Sequence, residues 1–315
     1  MEIQGCTITE NTSGNGGGGL SASNKSVVTI RDSDFIDNTS LQEGGGLYIQ
    51  NDTNADIIDC NFIRNASSDE GGGVYIQNNT VANISGATFE GNTTERFGGG
   101  IATENYSSLD LRDSAFDGNG ATEEGGGIFF DNQTRVGDRP TTIDGCEFKN
   151  NTSGLDGGAL AVTWLSTPNF TNLKVLSNSA TNRGGGVYLE RAENVSLIQD
   201  CVITENEAGS GGGVYNAGYP TLSGNSICAN TENGNATEHQ VVDAPGASFI
   251  DNGNNCIRIV CNTCDFDNDG LNNEDEELAN TDLCNPDTDG DTYPDGIDAY
   301  PLDPTRWEDD TDCSD

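Results

Sequence analysis

Residues 43–51 read EGGGLYIQN and residues 70–78 read EGGGVYIQN, nearly the same nine residues 27 positions apart. The echo runs along most of the chain: the last residue of each Gly-Gly-Gly/Ala block falls at 19, 46, 73, 100, 127, 159, 186 and 213. Every step is 27 residues except one of 32, and the five extra residues fall in DNQTRVGDRP at 131–140. A second mark keeps step with the first, an aromatic or aliphatic residue three positions before an asparagine. It occurs at Ile8/Asn11, Phe35/Asn38, Phe62/Asn65, Phe89/Asn92, Phe116/Asn119, Phe148/Asn151, Val175/Asn178, Ile203/Asn206, Ile227/Asn230 and Phe249/Asn252. Five residues before the first nine of these stand Ile3, Ile30, Ile57, Ile84, Leu111, Ile143, Phe170, Ile198 and Leu222.

A period of this size means stacked units. Leu47 and Ile49 alternate with Tyr48, as Cys60 and Phe62 alternate with Asn61, and period two means strands. A unit of two or three short strands joined by Gly and Asn turns closes into one coil, each strand pairing with its counterpart one coil away. The expected fold is therefore all-β, a right-handed parallel β-helix of about ten coils over residues 1–264, followed by a strand-poor segment over 265–315. The glycine column marks a bend where a Cβ would clash or where φ is positive. The asparagine column is expected to form a ladder of amides that satisfies turn backbone in neighbouring coils. Cys6, Cys60, Cys146 and Cys201 share a mostly small column and are at least two coils apart, so they read as buried thiols rather than disulfides.

Composition narrows the class. Hydrophobic residues make up 33% of the chain and 42 residues are glycine, which suits strands and turns better than helices. Lys plus Arg number 13 against 52 Asp plus Glu, a net charge of −39 that would repel nucleic acid and anionic lipid and attract cations. A saline habitat is a second source of such acidity. The single histidine, His239, argues against a Cys/His zinc site. No apolar run is long enough for a transmembrane segment. The opening MEIQGC has no leader and Ile3 is already in register, so the chain is expected to begin inside a longer secreted protein.

The alternation of FxxN with GGG[LIV] over about residues 3–252 resembles the repeats of the chlamydial polymorphic outer-membrane proteins and related bacterial surface β-helices. That resemblance implies an exposed passenger region serving adhesion, and no enzyme. The third residue of the block is mostly Gly here, with Ala at 159, and no barrel region follows.

After Cys264 the chain changes. DFDNDGLNNEDE places Asp265, Asp267, Asp269, Gly270 and Glu276 in D-x-D-x-D-G-x5-E spacing, with Leu271 offering its carbonyl, the oxygen set that wraps one Ca²⁺. DTDGDTYPDGID repeats it with Asp287, Asp289, Asp291, Asp295 and Asp298, but has Thr292 where Gly is expected and Asp298 in place of the bidentate Glu. Residues 265–315 carry 19 acids and one base, Arg306, so without cations the segment is expected to be disordered. With its NPDTDGD and LDP elements, the tail resembles thrombospondin type 3 repeats, which implies a chain held by Ca²⁺ and disulfides in place of a core. Extracellular loops of this kind bind at about 10⁻⁴ to 10⁻³ M, which points to the cell surface or the extracellular space. Disulfides are expected among Cys228, Cys256, Cys261, Cys264, Cys284 and Cys313, with pairing open.

Two further columns bear on function. Glu43, Glu70 and Glu124 share one position, with Phe97 between them, so a carboxylate pair is on hand for a β-helix polysaccharide lyase or hydrolase. Absence of a nearby histidine and a count of three lysines favour a solvated or cation-bridged acidic stripe. Tyr48, Tyr75, Ala102, Phe129, Ala161, Tyr188 and Tyr215 point away from the core, either as cross-strand pairs or as a platform for sugars or proteins. The sequence-based expectation is a secreted or surface-displayed, non-enzymatic rod with a calcium-stiffened linker, acting in adhesion, a surface layer or a filament. Its expected partners are calcium, surface glycans or proteins, and further copies of itself, with a glycan-active enzyme as the alternative.

Overall fold

The computed structural model describes residues 1–131, 141–164, 166–190, 197–236, 240–259, 269–271, 273–281 and 287–306. Four sheets wrap one axis. The first holds ten strands from Glu2–Gln4 to Ile250–Asp251, and the second ten from Thr7–Thr9 to Cys256–Arg258. The third begins at Thr12–Ser13 and ends in a hairpin of Thr231–Glu232 with Asn235–Ala236, the one antiparallel pairing among the described ladders. The fourth has nine strands, from Leu20–Ala22 to Val241–Asp243. Each coil thus has four strands where the alternation suggested two or three. The third-sheet strands, such as Thr39–Ser40, are two residues long, too short for any periodic signal.

Pairing follows the sequence echo without slip: Ile3 faces Ile30, Phe35 faces Phe62, and Leu47 faces Val74. Phe35, Phe62, Phe89, Phe116 and Phe148 stack up the axis with ring centroids 4.5 to 4.9 Å apart. They are buried with Ile30, Ile57, Ile49 and Ile76 in one continuous core. Corners between the first and second sheets turn on a single left-handed residue, for example Asp32 at φ 48° and Asp59 at φ 51°. Short polar side chains tolerate that conformation best after glycine.

The glycine block has separate reasons for its first two positions. Gly44 has φ 66°, whereas a Cβ on Gly45 would sit 2.3 Å from the Gly72 carbonyl and 2.5 Å from that of Ala66. The coil edge approaches its neighbour more closely there than any side chain allows.

The asparagine ladder forms as expected. Asn65 Oδ1 accepts from the Asn38 amide N–H and from Asn38 Nδ2, both at 3.0 Å, and Asn65 Nδ2 donates to the Phe35 carbonyl at 2.8 Å. Its final rungs differ from the expectation. Asn230 closes the ladder on Gln240 Oε1, and the counterpart of Ile227 is Ile257, so Phe249/Asn252 is not a tenth copy. The last coil is therefore longer than the motif spacing implied: Phe249 packs against the core ahead of the first-sheet strand Ile250–Asp251.

Cys60, Cys146 and Cys201 are buried free thiols, but Cys6 is exposed because its coil is packed from one side only. Cys228 and Cys256 are each disulfide-bonded, while Cys261, Cys264, Cys284 and Cys313 lie outside the described residues. Beyond the rod, the described tail has one short helix, Asn273–Ala279. No helix among the described residues is long and apolar enough to cross a membrane.

Candidate metal loops and the carboxylate stripe

Asp265 and Asp267 lie outside the described residues. Of the first loop, Asp269 Oδ1 accepts from the Leu271 amide at 2.7 Å and Oδ2 from the Gly296 amide at 2.8 Å. This acid ties the first loop to the second. Glu276, on the short helix, is fully buried.

The second loop is wound around its own acids. Asp287 accepts from the amides of Gly290, Asp291 and Thr292 at 2.8, 3.1 and 2.7 Å. Asp289 Oδ1 accepts from the Asp291 amide at 3.2 Å, Asp291 Oδ1 from Tyr293 at 2.9 Å, and Asp298 Oδ1 from Tyr300 at 2.7 Å. In each of the last three, one oxygen shapes the loop. Their Oδ2 atoms are buried with no hydrogen-bond partner. Carboxylate oxygens of Asp287, Asp289 and Asp291 lie within 4.8 Å of one another. Like charges gathered at such range cost energy unless a cation sits among them. The donors are all oxygen, the set a hard cation such as Ca²⁺ takes, so the residues fit calcium. Asp295 is buried but spends both oxygens on Thr288, whose amide and hydroxyl donate at 2.9 and 2.6 Å. Its role in this geometry is to brace the loop. Thr292 has φ 84° where Gly270, the same position of the first loop, has φ 105°. The second loop makes the glycine turn without glycine.

The outer face of the fourth sheet carries three columns. One contains Glu43, Glu70, Phe97, Glu124, Asp156 and Arg183, joined by bridges such as Glu70 to Phe97 and Asp156 to Arg183. The middle one is the aromatic column, in register from Tyr48 to Tyr215. The third contains Gln50, Gln77, Glu104 and Asp131. The aromatic column is no exposed platform. Tyr48, Tyr75, Phe129 and Tyr188 are 2 to 8% exposed and form a second small core with Ala102 and Ala161. Phe97 stacks on Phe129 at 4.5 Å, and Arg183 lies over Tyr188 at 4.7 Å while pairing with Asp156 at 2.6 Å. Phe97 and Arg183, each just ahead of a glycine block, thus lie on the rings and cover them.

Glu70 does not pair with Glu43, as the shared column suggested. Its carboxyl faces Glu104, across Tyr75, and burial first and Glu104 second push it up to about 9. Tyr75 donates to Glu104 Oε2 at 2.7 Å. Burial likewise raises Glu124 to about 7, with help from Asp156 and Glu190, and Asp131 to about 6. Glu104 was missed in the sequence because it belongs to a different column. A cleft of about 340 Å³ at the corner of the first and second sheets is lined by Asn172, Asp200, Cys201 and Gly224. It offers one carboxylate and a thiol that burial pushes up to about 12, no pair for acid–base work.

The fold defines the protein as a solenoid, a right-handed parallel β-helix. Residues 1–175 match the family described as right handed beta helix region, and the chain belongs to that family. No curated protein matches it, and no solved structure does. The family holds surface proteins and polysaccharide-acting enzymes alike.

Proposed function

We propose that the chain is a secreted or cell-surface, non-enzymatic rod whose C-terminal loops bind Ca²⁺ and stiffen a linker, serving adhesion or the building of a surface layer or filament. The observation that supports it most is the convergence of Asp287, Asp289 and Asp291, with the Oδ2 atoms of Asp289 and Asp291 buried and lacking any donor. Asp287, Asp289, Asp291 and Asp298 would hold the ion in the second loop, and Asp265, Asp267, Asp269, Leu271 and Glu276 in the first. The bound ion supplies the charge that lets these acids pack, so the tail orders where calcium is near millimolar, outside the cell.

Calcium calorimetry on the whole chain tests this. Wild type is expected to bind at about 10⁻³ M or tighter, and Asp289→Asn/Asp291→Asn to lose at least tenfold in affinity at the second loop. An unchanged isotherm in that variant would sink the assignment. Thr292→Gly should act the other way. A non-glycine residue in the left-handed region costs about 1 to 2 kcal/mol, so removing the β-branched side chain should tighten the loop's calcium affinity roughly five- to thirtyfold. Equal or weaker binding by Thr292→Gly would show that the turn is not strained.

The second reading, a glycan-cleaving enzyme, is favoured by the facing carboxyls of Glu70 and Glu104. Access weighs against it: Glu70 is 6% exposed, Tyr75 3% and Ala102 0%, which leaves no room for a sugar ring beside the pair.

A further inference from the structure

We infer that Glu70 and Glu104 form a second divalent-cation site, of the calcium class, set into the flank of the rod and separate from the tail loops.

One buried carboxylate oxygen of this pair has no donor. Glu70 is 94% removed from solvent, at 6% exposure, and its Oε2 has no hydrogen-bond partner. A buried carboxylate oxygen normally accepts two or more hydrogen bonds, and leaving it bare costs several kcal/mol unless a proton or a cation supplies the missing charge. What faces it is a second acid, Glu104. Glu104 Oε2 already accepts the Tyr75 hydroxyl at 2.7 Å, so it acts there as an acceptor. Gln77 Oε1 lies 3.4 Å from the same hydroxyl and adds another oxygen to the neighbourhood.

Among the described residues one cation, Arg96, stands near Glu70, and it is already committed. Arg96 comes no closer than 3.7 Å to Glu70 Oε1, because its guanidinium makes its short contact with Asp69 at 2.7 Å and lies over the Phe97 ring at 4.6 Å. It also reaches Glu123 at 3.7 Å. One guanidinium thus serves Asp69, Glu70 and Glu123, and among the described residues no ion pair reaches Glu104.

The other coils show that this arrangement is not a requirement of the fold. One coil earlier the corresponding positions hold Glu43 and Gln77, a carboxylate opposite an amide that can donate. There Gln77 Nε2 donates to the Tyr48 hydroxyl, and Tyr48 donates to Gln50 Oε1 at 2.9 Å, so the amide and the hydroxyl are both satisfied. Glu104 in place of that amide in the next coil puts a second acceptor opposite a carboxylate. One coil later the position of Glu70 is taken by Phe97, which simply stacks on Phe129 at 4.5 Å. The repeat keeps the central column while the flanking pair varies from coil to coil.

Two carboxylates, a side-chain amide oxygen and a phenol make an all-oxygen donor set. Such a set suits Ca²⁺, whose coordination tolerates irregular geometry, better than Mg²⁺, and gives Zn²⁺ neither nitrogen nor sulfur. Held between adjacent coils, the ion would clamp the segment before Gly71 to the end of the strand Ile101–Glu104.

The test is calcium calorimetry on the full chain at pH 8, comparing wild type, Glu70→Gln, Glu104→Gln and Asp289→Asn/Asp291→Asn. The expected result is that each glutamine variant loses one equivalent of Ca²⁺, while the aspartate double variant keeps that equivalent. Circular dichroism of the near-isosteric glutamine variants checks that the rod is intact. Should either fail to fold, hydrogen exchange on wild type decides instead: added Ca²⁺ must slow the amides of Gly71 to Gly73. Unchanged stoichiometry in both glutamine variants, loss of all binding in the double variant, or no calcium-dependent protection at Gly71 to Gly73 would each overturn the site. The proposed tail site stands or falls on the aspartate variant alone, so the two failures are distinguishable.

Discussion

Replacing Asn65 with alanine is expected to destabilise the middle of the rod by roughly 3 to 6 kcal/mol, more than deletion of any exposed side chain on the same coil. Asn65 is fully buried and uses both ends of its amide. Its Oδ1 accepts from the Asn38 amide N–H and side chain at 3.0 Å, and its Nδ2 donates to the Phe35 carbonyl at 2.8 Å and to Asn92 Oδ1 at 3.0 Å. Alanine strips two donors and a carbonyl of their partners, each worth about 1 to 3 kcal/mol when left buried and unsatisfied. No water-sized detour is open, since Phe35, Phe62 and Phe89 close the inner side at 0% exposure. Asn65→Asp is a sharper test than alanine. It keeps the volume and the acceptor but aims a carboxylate at the Phe35 carbonyl and Asn92 Oδ1, both acceptors, and should cost at least as much. Asn61→Ala, which removes a part-buried contact with Asp34, is the control and should stay within about 1 kcal/mol. Because solenoids unfold unit by unit, hydrogen exchange at Asn38 and Asn65 is the direct readout, with the urea midpoint as support. Alanine at 65 within about 1 kcal/mol of wild type would mean that the ladder decorates the fold rather than holding it.

That ladder also shows what a repeat makes legible. Phe35, Asn38 and the glycine block could be placed because each recurs at a fixed interval and each has one physical job: fill, satisfy, or make room. The same logic failed where the interval broke. Phe249 and Asn252 match the motif locally, but Ile257 is the residue that pairs with Ile227. Periodicity located the aromatic column without revealing its cover, because the residues that lie on it, Phe97 and Arg183, stand outside the strand alternation. Glu104 was hidden for a related reason. It stands 34 residues from Glu70 in a column that starts with glutamines, and only the folded register brings the two acids face to face. In the tail the opposite holds: ligand spacing was plain in the sequence, and what the structure adds is that Asp295 clamps Thr288 and that Thr292 takes the glycine conformation.

Glu70→Gln carries the second large effect, in calcium-free buffer and as a function of pH. Burial first, then the nearby Glu104 and Asp69, raise Glu70 to about 9, while Arg96 pulls it the other way. An unfolded glutamate titrates near 4.3, so the folded state holds a proton that the unfolded state gives up. Below about pH 4 both states carry it and the site costs nothing. Between there and about 9 stability is lost at about 1.4 kcal/mol per pH unit, and above 9 the loss levels off. At pH 7 this is a deficit of roughly 3 to 4 kcal/mol from one side chain. Glutamine is neutral at every pH and its amide can donate to Glu104, as Gln77 donates to Tyr48 one coil earlier. Glu70→Gln is therefore expected to be more stable than wild type by roughly 3 kcal/mol at pH 7, and the gap should close by pH 4 to 5. The fitting measurement is the urea midpoint in EDTA at pH 5, 7 and 9, with hydrogen exchange at Gly71 to locate the effect. A gap that stays constant with pH would mean that Glu70 is charged in the folded rod. Arg96, lying over Phe97 beside Asp69, would then outweigh burial and Glu104 at that oxygen.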